Sequence, residues 1–179
     1  NIVVTTTHTH SGPNTVDVFG KDANADYISQ LKTKMISTIK EAFDNRGEGE
    51  LEFAAGKLEG FAFNRRFIMS DGTIQTHPLK GDPHIIKAEG PDSKKVDVLC
   101  LRDNEGNVKG ASVTFGCHAT TMQRDNTKIS SDYAGKVSDY LARLLGCDNS
   151  VLFFAGAAGN ICQVNPMDLS RTEVGLAWA

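Results

Sequence analysis

Five apolar segments rich in β-branched and aromatic residues alternate with two helical patterns, and this alternation most limits how the 179 residues can fold. Strands are predicted at residues 2–7, 51–63, 96–102, 108–117 and 151–155. The turn residues at 103–107 predict a hairpin between the third and fourth of these strands. The order of elements favours an α/β fold, with a mixed β-sheet and helices packed on it.

Two segments show helical periodicity. In residues 25–45, apolar side chains recur on one stripe, which predicts a helix with one face packed on the sheet. The second helix is predicted at residues 133–145, with Asp132 near its N-terminus and Gly146 as its C-terminal stop. The inward residues of the first stripe are Ile28, Leu31, Met35, Ile39 and Phe43.

Composition narrows the class of protein. A content of 40% hydrophobic and 23% charged residues is typical of a globular domain with a buried core. The formal net charge of -3 provides no general attraction to nucleic acid or anionic membranes, and no apolar run reaches the roughly 18 residues of a membrane-spanning helix. The four cysteines are scattered and are expected to be small buried apolar residues. Composition does not indicate an oligomeric state.

The two ends of the sequence are abrupt. The chain starts directly in a predicted strand, without a Met or a signal-peptide pattern, and residues 169–179 resemble the start of a helix with Ser170 as its N-cap. Residues 1–179 are therefore expected to be a fragment of a larger chain. Within it, the Gly- and Pro-rich residues 70–93 are expected to form a long surface connection.

The segment Thr-His-Thr-His-Ser-Gly-Pro at 7–13 follows the first predicted strand. Side chains two residues apart share one side of a strand, so His8 and His10 are expected to project together at its carboxyl end. A His-x-His pair can bind one metal ion, or divide between metal and substrate. Two polar residues that bond to backbone groups as the chain leaves a strand are the alternative.

His118 also follows a predicted strand, in Cys-His-Ala-Thr, so three histidines could converge at two strand ends. On its own, a histidine at this place is more often a structural hydrogen-bonding group. His77 and His84 lie in the polar 70–93 segment and are expected to be solvated, unless that segment folds over the site.

Three further motifs could contribute. Asp132 lies in Ser-Ser-Asp-Tyr, where it could cap the helix or orient a ligand histidine. Gly156 and Ala157 lie in a small-residue turn whose N–H groups could face an oxyanion, or which could simply allow close packing. Arg65 and Arg66 end a strand; surface ion pairs are usual there, but one arginine that reaches inward would suit a carboxylate or a developing negative charge. No GxSxG motif is present, and covalent acyl-enzyme chemistry is not favoured.

In this order, THTHSGP, FNRR, CHAT, ISSDYAG and FFAGAAGN resemble motifs of the neutral/alkaline ceramidase family and its bacterial ceramidase-like relatives. The resemblance implies that residues 1–179 are a single, partial catalytic domain of a zinc-dependent amidase, in which His8 and His118 are zinc ligands. It also implies that His10 lies beside the metal and the substrate, and that Arg65 enters the active site. The family's remaining ligands, a downstream glutamate and tyrosine, have no counterpart before Ala179. Family members are commonly exported.

The chain departs from true ceramidases at two places. Where those enzymes have Gln-Ser-Asn with a functional serine, this chain has Gly156, Ala157 and Ala158, so no serine-centred role is carried over and ceramide is in doubt as the substrate. The THTHSGP motif continues with Asn14-Thr15 instead of paired glycines.

The sequence thus leads to one main hypothesis: a Zn²⁺-dependent hydrolase that cleaves an amide bond of a small-molecule or lipid substrate with metal-activated water. Its site would use His8 and His118 for metal and His10 and Arg65 for catalysis. Asp132, Gly156 and Ala157 would contact substrate or support the ligands. The alternatives are an inactive ceramidase-like module that binds a lipid or glycan, and a site for another divalent metal such as Fe, Ni or Cu.

Overall fold

A computed structural model describes residues 2–18, 20–122, 126–147 and 150–170. These residues form two helices and nine strands. In chain order they are α1 (Ala25–Asp44), β1 (Glu50–Lys57), β2 (Phe63–Asn64), β3 (Arg66–Met69), β4 (Ile74–Thr76), β5 (Ile85–Ala88), β6 (Lys95–Arg102), β7 (Val108–Phe115), α2 (Asp132–Leu145), β8 (Val151–Ala155) and β9 (Ile161–Cys162).

The largest sheet of the described residues has the strand order β1-β6-β7-β8. The pairs β1–β6 and β6–β7 are antiparallel, whereas β7 and β8 are parallel and are connected through α2. The predicted turn at 103–107 joins β6 to β7, with Asp103 N–H donating to the carbonyl oxygen of Asn107. The mixed sheet predicted from the sequence is confirmed.

One face of this sheet carries the core. Val113, Phe115 and Phe153 of β7 and β8 pack against Ala134 and Ala142 of α2. Small alanines on α2 let the helix lie close to the strands. The helix ends at Gly146, as predicted. Its left-handed φ of 68° is a conformation that glycine adopts without strain. All four cysteines are buried and free, which confirms the prediction that they act as small apolar residues.

The opposite face of the sheet is uncovered by the described residues, and α1 does not pack as predicted. Leu51 and Phe53 of β1 are 67% and 65% exposed, and no residue of α1 is buried. The extent of α1 agrees with the sequence, since Asn24 caps it by accepting from Tyr27 N–H. Amphipathic periodicity predicts a helix that could bury one face, but burial also requires a partner surface, and none of the described elements covers its stripe.

Two other predictions about the chain's path are wrong. Residues 2–7 form no strand in the described structure and are largely exposed, with Val3 82% exposed, because no described strand pairs with them. Residues 70–93 are not a plain loop, because β4 and β5 pair with β3 in an antiparallel sheet. The helix predicted from residue 169 lies mostly outside the described residues.

Two short strand pairings determine what lies beside the carboxyl ends of β7 and β8. Strand β2 pairs with β9, just after the turn that follows β8. Strand β3 carries β4 and β5 at its sides, so the polypeptide from residue 63 to residue 88 folds back toward that same edge. No helix among the described residues is long and apolar enough to cross a membrane.

Candidate metal centre

The three histidines of the two histidine motifs come together. The ring centroids of His8 and His118 are 4.8 Å apart, those of His8 and His10 are 5.0 Å apart, and those of His10 and His118 are 5.7 Å apart. One nitrogen from each ring lies within 4.8 Å of the others. Imidazole nitrogens are donors that Zn²⁺ accepts, so this cluster is a candidate metal site.

His118 reaches the cluster because it follows β7 at the carboxyl end of the parallel β7–β8 pair, where open α/β sheets place their ligand sites. The turn after β8 orients its ring: Nδ1 lies 2.5 Å from the carbonyl oxygen of Ala158 and 3.1 Å from that of Ile161. Because carbonyl oxygens only accept, Nδ1 carries the proton and Nε2 keeps its lone pair for a metal. The two carbonyl groups therefore determine both the orientation of the ring and its tautomer.

The sequence predicts that His8 and His10 share one side of a strand. Their segment is not a strand, so this alternation is not what brings the two rings together. His8 has a left-handed φ of 57°, and His10 N–H donates to the carbonyl oxygen of Ala119, one residue after His118. This bond joins the two histidine segments directly.

A turn at residues 130–133, which we call the clamp turn, holds both segments from the other side. Toward the first segment, the carbonyl oxygen of Ser130 accepts from Thr9 Oγ1 at 2.8 Å, and Ser130 N–H donates to the carbonyl oxygen of Ser11. Toward the second segment, Tyr133 Oη donates to the carbonyl oxygen of Cys117 at 2.7 Å.

Asp132 is the buried centre of the clamp turn, with 4% of its surface exposed. Its carboxylate accepts from Thr121 N–H at 2.9 Å, Thr121 Oγ1 at 2.7 Å, Met122 N–H at 3.3 Å and Tyr133 N–H at 2.7 Å. Asp132 is the first residue of α2, and the N-cap, Ser131, forms no side-chain capping bond, so helix capping does not account for these contacts. Three of the four bonds come from Thr121 and Met122, just after His118. Asp132 therefore acts on the segment that carries the histidine, and the described contacts show no direct bond from Asp132 to the ring.

Left-handed backbone conformations mark the same region. Among the described residues, the non-glycine residues with positive φ are His8 at 57°, His77 at 55° and Asp132 at 56°. This conformation is strained for residues with a Cβ, and such strain is concentrated at functional sites, where the surroundings enforce it.

Arg65 enters the site while Arg66 does not. Arg66 forms an exposed ion pair with Glu89, the usual role of an arginine at a strand end. Arg65 lies between β2 and β3, where its Nη2 donates to the carbonyl oxygen of Gly159 at 2.6 Å. Its charge lowers the pKa values of both His10 and His118.

Burial is the largest cause of the lowered pKa of His10, followed by the neighbouring His8, His118 and Arg65, whereas Asp132 opposes the shift. Burial, then Arg65, also lowers the pKa of His118. Both rings are thus kept neutral, the state that a metal ligand or a general base needs.

The turn at residues 156–160 orients His118 and Arg65 through its carbonyl oxygens. The sequence instead indicates its N–H groups as candidate donors to an oxyanion. Gly156 is required for packing, because a Cβ there would lie 3.1 Å from the backbone nitrogen of Gly116. Ala157 is exposed beside this packed position.

His77 is a residue whose place the sequence did not indicate. It is half-buried, its N–H donates to the carbonyl oxygen of Arg65 at 2.8 Å, and its pKa is lowered by burial, then by Arg65 and His118. The expectation that it is solvated is wrong, because the β3–β4 pairing returns the chain to Arg65. His84 is exposed, as expected, beside Ser70.

Cys117 directly precedes His118, but burial raises the pKa of its thiol to about 12. A protonated buried thiol is a poor nucleophile. This agrees with the sequence argument against covalent acyl-enzyme chemistry.

Sequence comparison matches this chain to neutral ceramidases. The chain is 28% identical to the neutral ceramidase of Pseudomonas aeruginosa over 146 residues, and 26% identical to neutral ceramidase A of Dictyostelium discoideum over 144 residues. The chain is similar in sequence to a segment of the neutral ceramidases. Each alignment covers 77% of this ceramidase-like chain, which spans 20% and 19% of the two relatives. No protein-family model matches the chain.

The fold agrees with the sequence comparison. The crystal structure of the Pseudomonas aeruginosa neutral ceramidase matches 93% of this ceramidase-like chain with a TM-score of 0.67 and 22% identity. A ceramidase structure complexed with C2 matches 88% of it, with a TM-score of 0.66 and 24% identity. The chain covers 26% and 24% of those two structures.

The clamp turn leads to a prediction about stability. Substitution Asp132→Ala leaves several buried donors without an acceptor, so we expect the free energy of unfolding to fall by about 3 kcal/mol, measured by urea denaturation. Asp132→Asn should cost less, because asparagine tolerates a left-handed φ and keeps one acceptor oxygen. Asp139→Ala, on the exposed side of α2, is the control and should leave the urea midpoint in place. Equal midpoints for the Asp132→Ala and Asp139→Ala variants would contradict this role for the clamp turn.

Proposed function

We propose that this chain carries the metal-binding histidines of a zinc-dependent hydrolase that cleaves an amide bond, in the manner of the ceramidases it resembles. The observation that carries the proposal is the cluster of His8, His10 and His118, in which His118 is held with Nδ1 bonded to carbonyl groups and Nε2 free. The similarity to neutral ceramidases supports amide bonds as the substrate class.

The donor set fits zinc. Neutral imidazoles are ordinary zinc ligands, burial keeps the pKa values of His10 and His118 low, and the described cluster includes no cysteine or carboxylate. His8 and His118 would hold the ion, as the ceramidase resemblance implies. Bound Zn²⁺ would supply a Lewis acid that activates water and polarises the amide carbonyl.

His10 is the proton-transfer group in this proposal. Its ring lies beside both ligand rings, and its lowered pKa leaves it able to accept a proton near neutral pH. It would take a proton from the attacking water and return it to the leaving nitrogen, or donate a hydrogen bond to the tetrahedral intermediate. Neutral imidazole can begin either role.

Arg65 is the group that stabilises negative charge. Its guanidinium is fixed by Gly159 and lies close enough to lower the pKa values of His10 and His118. A fixed cation at this place would hold the substrate or the oxyanion that forms on it. Asp132 positions the segment after His118, and Gly156 and Ala157 hold the turn that orients His118 and Arg65.

The main test uses the full-length protein, because this chain spans about a fifth of its curated relatives. We expect it to hydrolyse some members of a panel of N-acyl amides, to lose that activity with a chelator, and to regain it with Zn²⁺. His8→Ala and His118→Ala should each lower zinc content and reduce kcat/KM by at least about 100-fold, because a site that loses a ligand cannot activate water. His84→Ala is the matched control.

Hydrolysis that survives chelation would contradict the metal-dependent mechanism. Zinc content that is unchanged in His8→Ala and His118→Ala would contradict the assignment of the ligands. Zinc binding without hydrolysis of any amide or ester in the panel would favour the alternative, a ceramidase-like module that binds a lipid or glycan.

The pKa shifts predict how metal affinity depends on pH. Protons compete with zinc for imidazole, and burial, then the charge of Arg65, lowers the pKa of the proposed ligand His118. Removal of that charge in Arg65→Gln should raise the pKa of His118, so zinc affinity should begin to fall at a higher pH in the variant than in the wild-type protein. Competition with a metal-sensitive dye between about pH 5 and pH 8 measures this. Identical pH profiles for the two proteins would contradict this effect of Arg65.

A further inference from the structure

A small pocket lies next to the histidine cluster and takes no part in the proposed metal binding. We call it the Arg65 pocket. Its walls are mostly apolar, with the two nitrogen-rich side chains of Arg65 and His77 among them. The lining residues are Arg65, Phe67, His77, Pro78, Cys162, Val164 and Pro166.

Arg65 has an unused donor in this region. Its Nη2 is bonded to the carbonyl oxygen of Gly159, but its Nε is buried without any hydrogen-bond partner. A buried guanidinium N–H is costly to leave unpaired, so such a group is expected to have an acceptor when the site is in use. The lining of the pocket contains no acidic residue that could serve.

His77 is fixed beside Arg65. It adopts a left-handed φ of 55°, and its backbone N–H donates to the carbonyl oxygen of Arg65. Burial and the charge of Arg65 lower the pKa of its ring, so the imidazole is neutral near pH 7 and still offers one N–H donor. One fixed cation and one neutral donor thus line the same pocket.

We propose that the Arg65 pocket binds a carboxylate on the amine side of the substrate, so that the amide cleaved is that of an N-acyl amino acid. This inference rests on the proposed amide hydrolysis. A carboxylate offers two acceptor oxygens and a negative charge that balances the positive guanidinium. Arginine binds carboxylates with directed, charge-assisted hydrogen bonds. A neutral alcohol headgroup could accept a hydrogen bond from the guanidinium, but it would bring no negative charge to balance the cation.

The experiment measures binding instead of turnover. Calorimetry on the full-length protein, with zinc removed by a chelator so that no metal can bind the carboxylate, compares N-octanoylglycine with N-octanoylglycinamide and with octanoate. We expect the acid to bind about tenfold more tightly than its neutral amide, as one charge-assisted contact allows. Octanoate should bind more weakly than N-octanoylglycine, because its carboxylate replaces the amide and cannot reach the pocket in the same pose.

Variants localise the preference. Arg65→Gln should abolish the preference for the acid over the amide, because it removes the charge. His77→Ala should reduce the preference several-fold, because it removes one donor. His84→Ala, at an exposed histidine on the same segment, is the matched control and should preserve the preference.

Equal affinities for acid and amide, no saturable binding of the acid, or a preference that persists in both the Arg65→Gln and His77→Ala variants would each overturn the proposal. Octanoate that binds as tightly as N-octanoylglycine would assign the pocket to a fatty-acid product and overturn it as well. Zinc-dependent hydrolysis without any preference for acids would refute this inference alone. A preference for acids without hydrolysis would refute the proposed function alone.

Discussion

The hydrogen bonds of the clamp turn, formed by Asp132 and Ser130, hold together a site whose parts are far apart in the chain. Asp132 fixes residues 121 and 122 just after His118, while the neighbouring Ser130 binds Thr9 and Ser11 on either side of His10. The segment with His8 and His10 forms no strand of its own in the described structure, so these bonds and the one from His10 N–H to Ala119 determine where its rings lie. The clamp turn therefore replaces the secondary structure that the first histidine motif lacks.

Electrostatics around the histidines follow from the same arrangement. Burial, then the proximity of His8, His118 and Arg65, disfavours positive charge on His10, and Asp132 offsets part of this effect. Burial, then Arg65, also lowers the pKa of His118, whose ring is already oriented by carbonyl oxygens. At these two rings, a divalent cation would therefore not have to displace a proton near pH 7.

The sequence predicted those elements whose determinants are local. Strand β8, the hairpin between β6 and β7, and helix α2 with its Gly146 stop depend on periodicity and turn residues within each segment. Residues 2–7 and the apolar stripe of α1 failed as predictions because burial depends on a partner surface, which local patterns do not specify.

The site was predictable to a similar degree. Three histidines were expected to converge, and they do, but the predicted cause, alternation along a strand, was wrong for His8 and His10. The sequence also allowed for one arginine reaching inward, which Arg65 does. His77 was missed because its place depends on how β4 pairs with β3, and nothing adjacent in sequence signals its approach to Arg65.

X-ray absorption spectroscopy of the zinc-loaded, full-length protein tests the central claim most directly, because it reports which atoms bind the metal. The account predicts nitrogen neighbours at about 2.0–2.1 Å with the outer scattering typical of at least two imidazoles, and no sulfur neighbour at about 2.3 Å. A sulfur neighbour, which would come from a cysteine thiolate, or a shell of oxygen atoms without imidazole scattering would contradict the assignment of His8 and His118 as ligands.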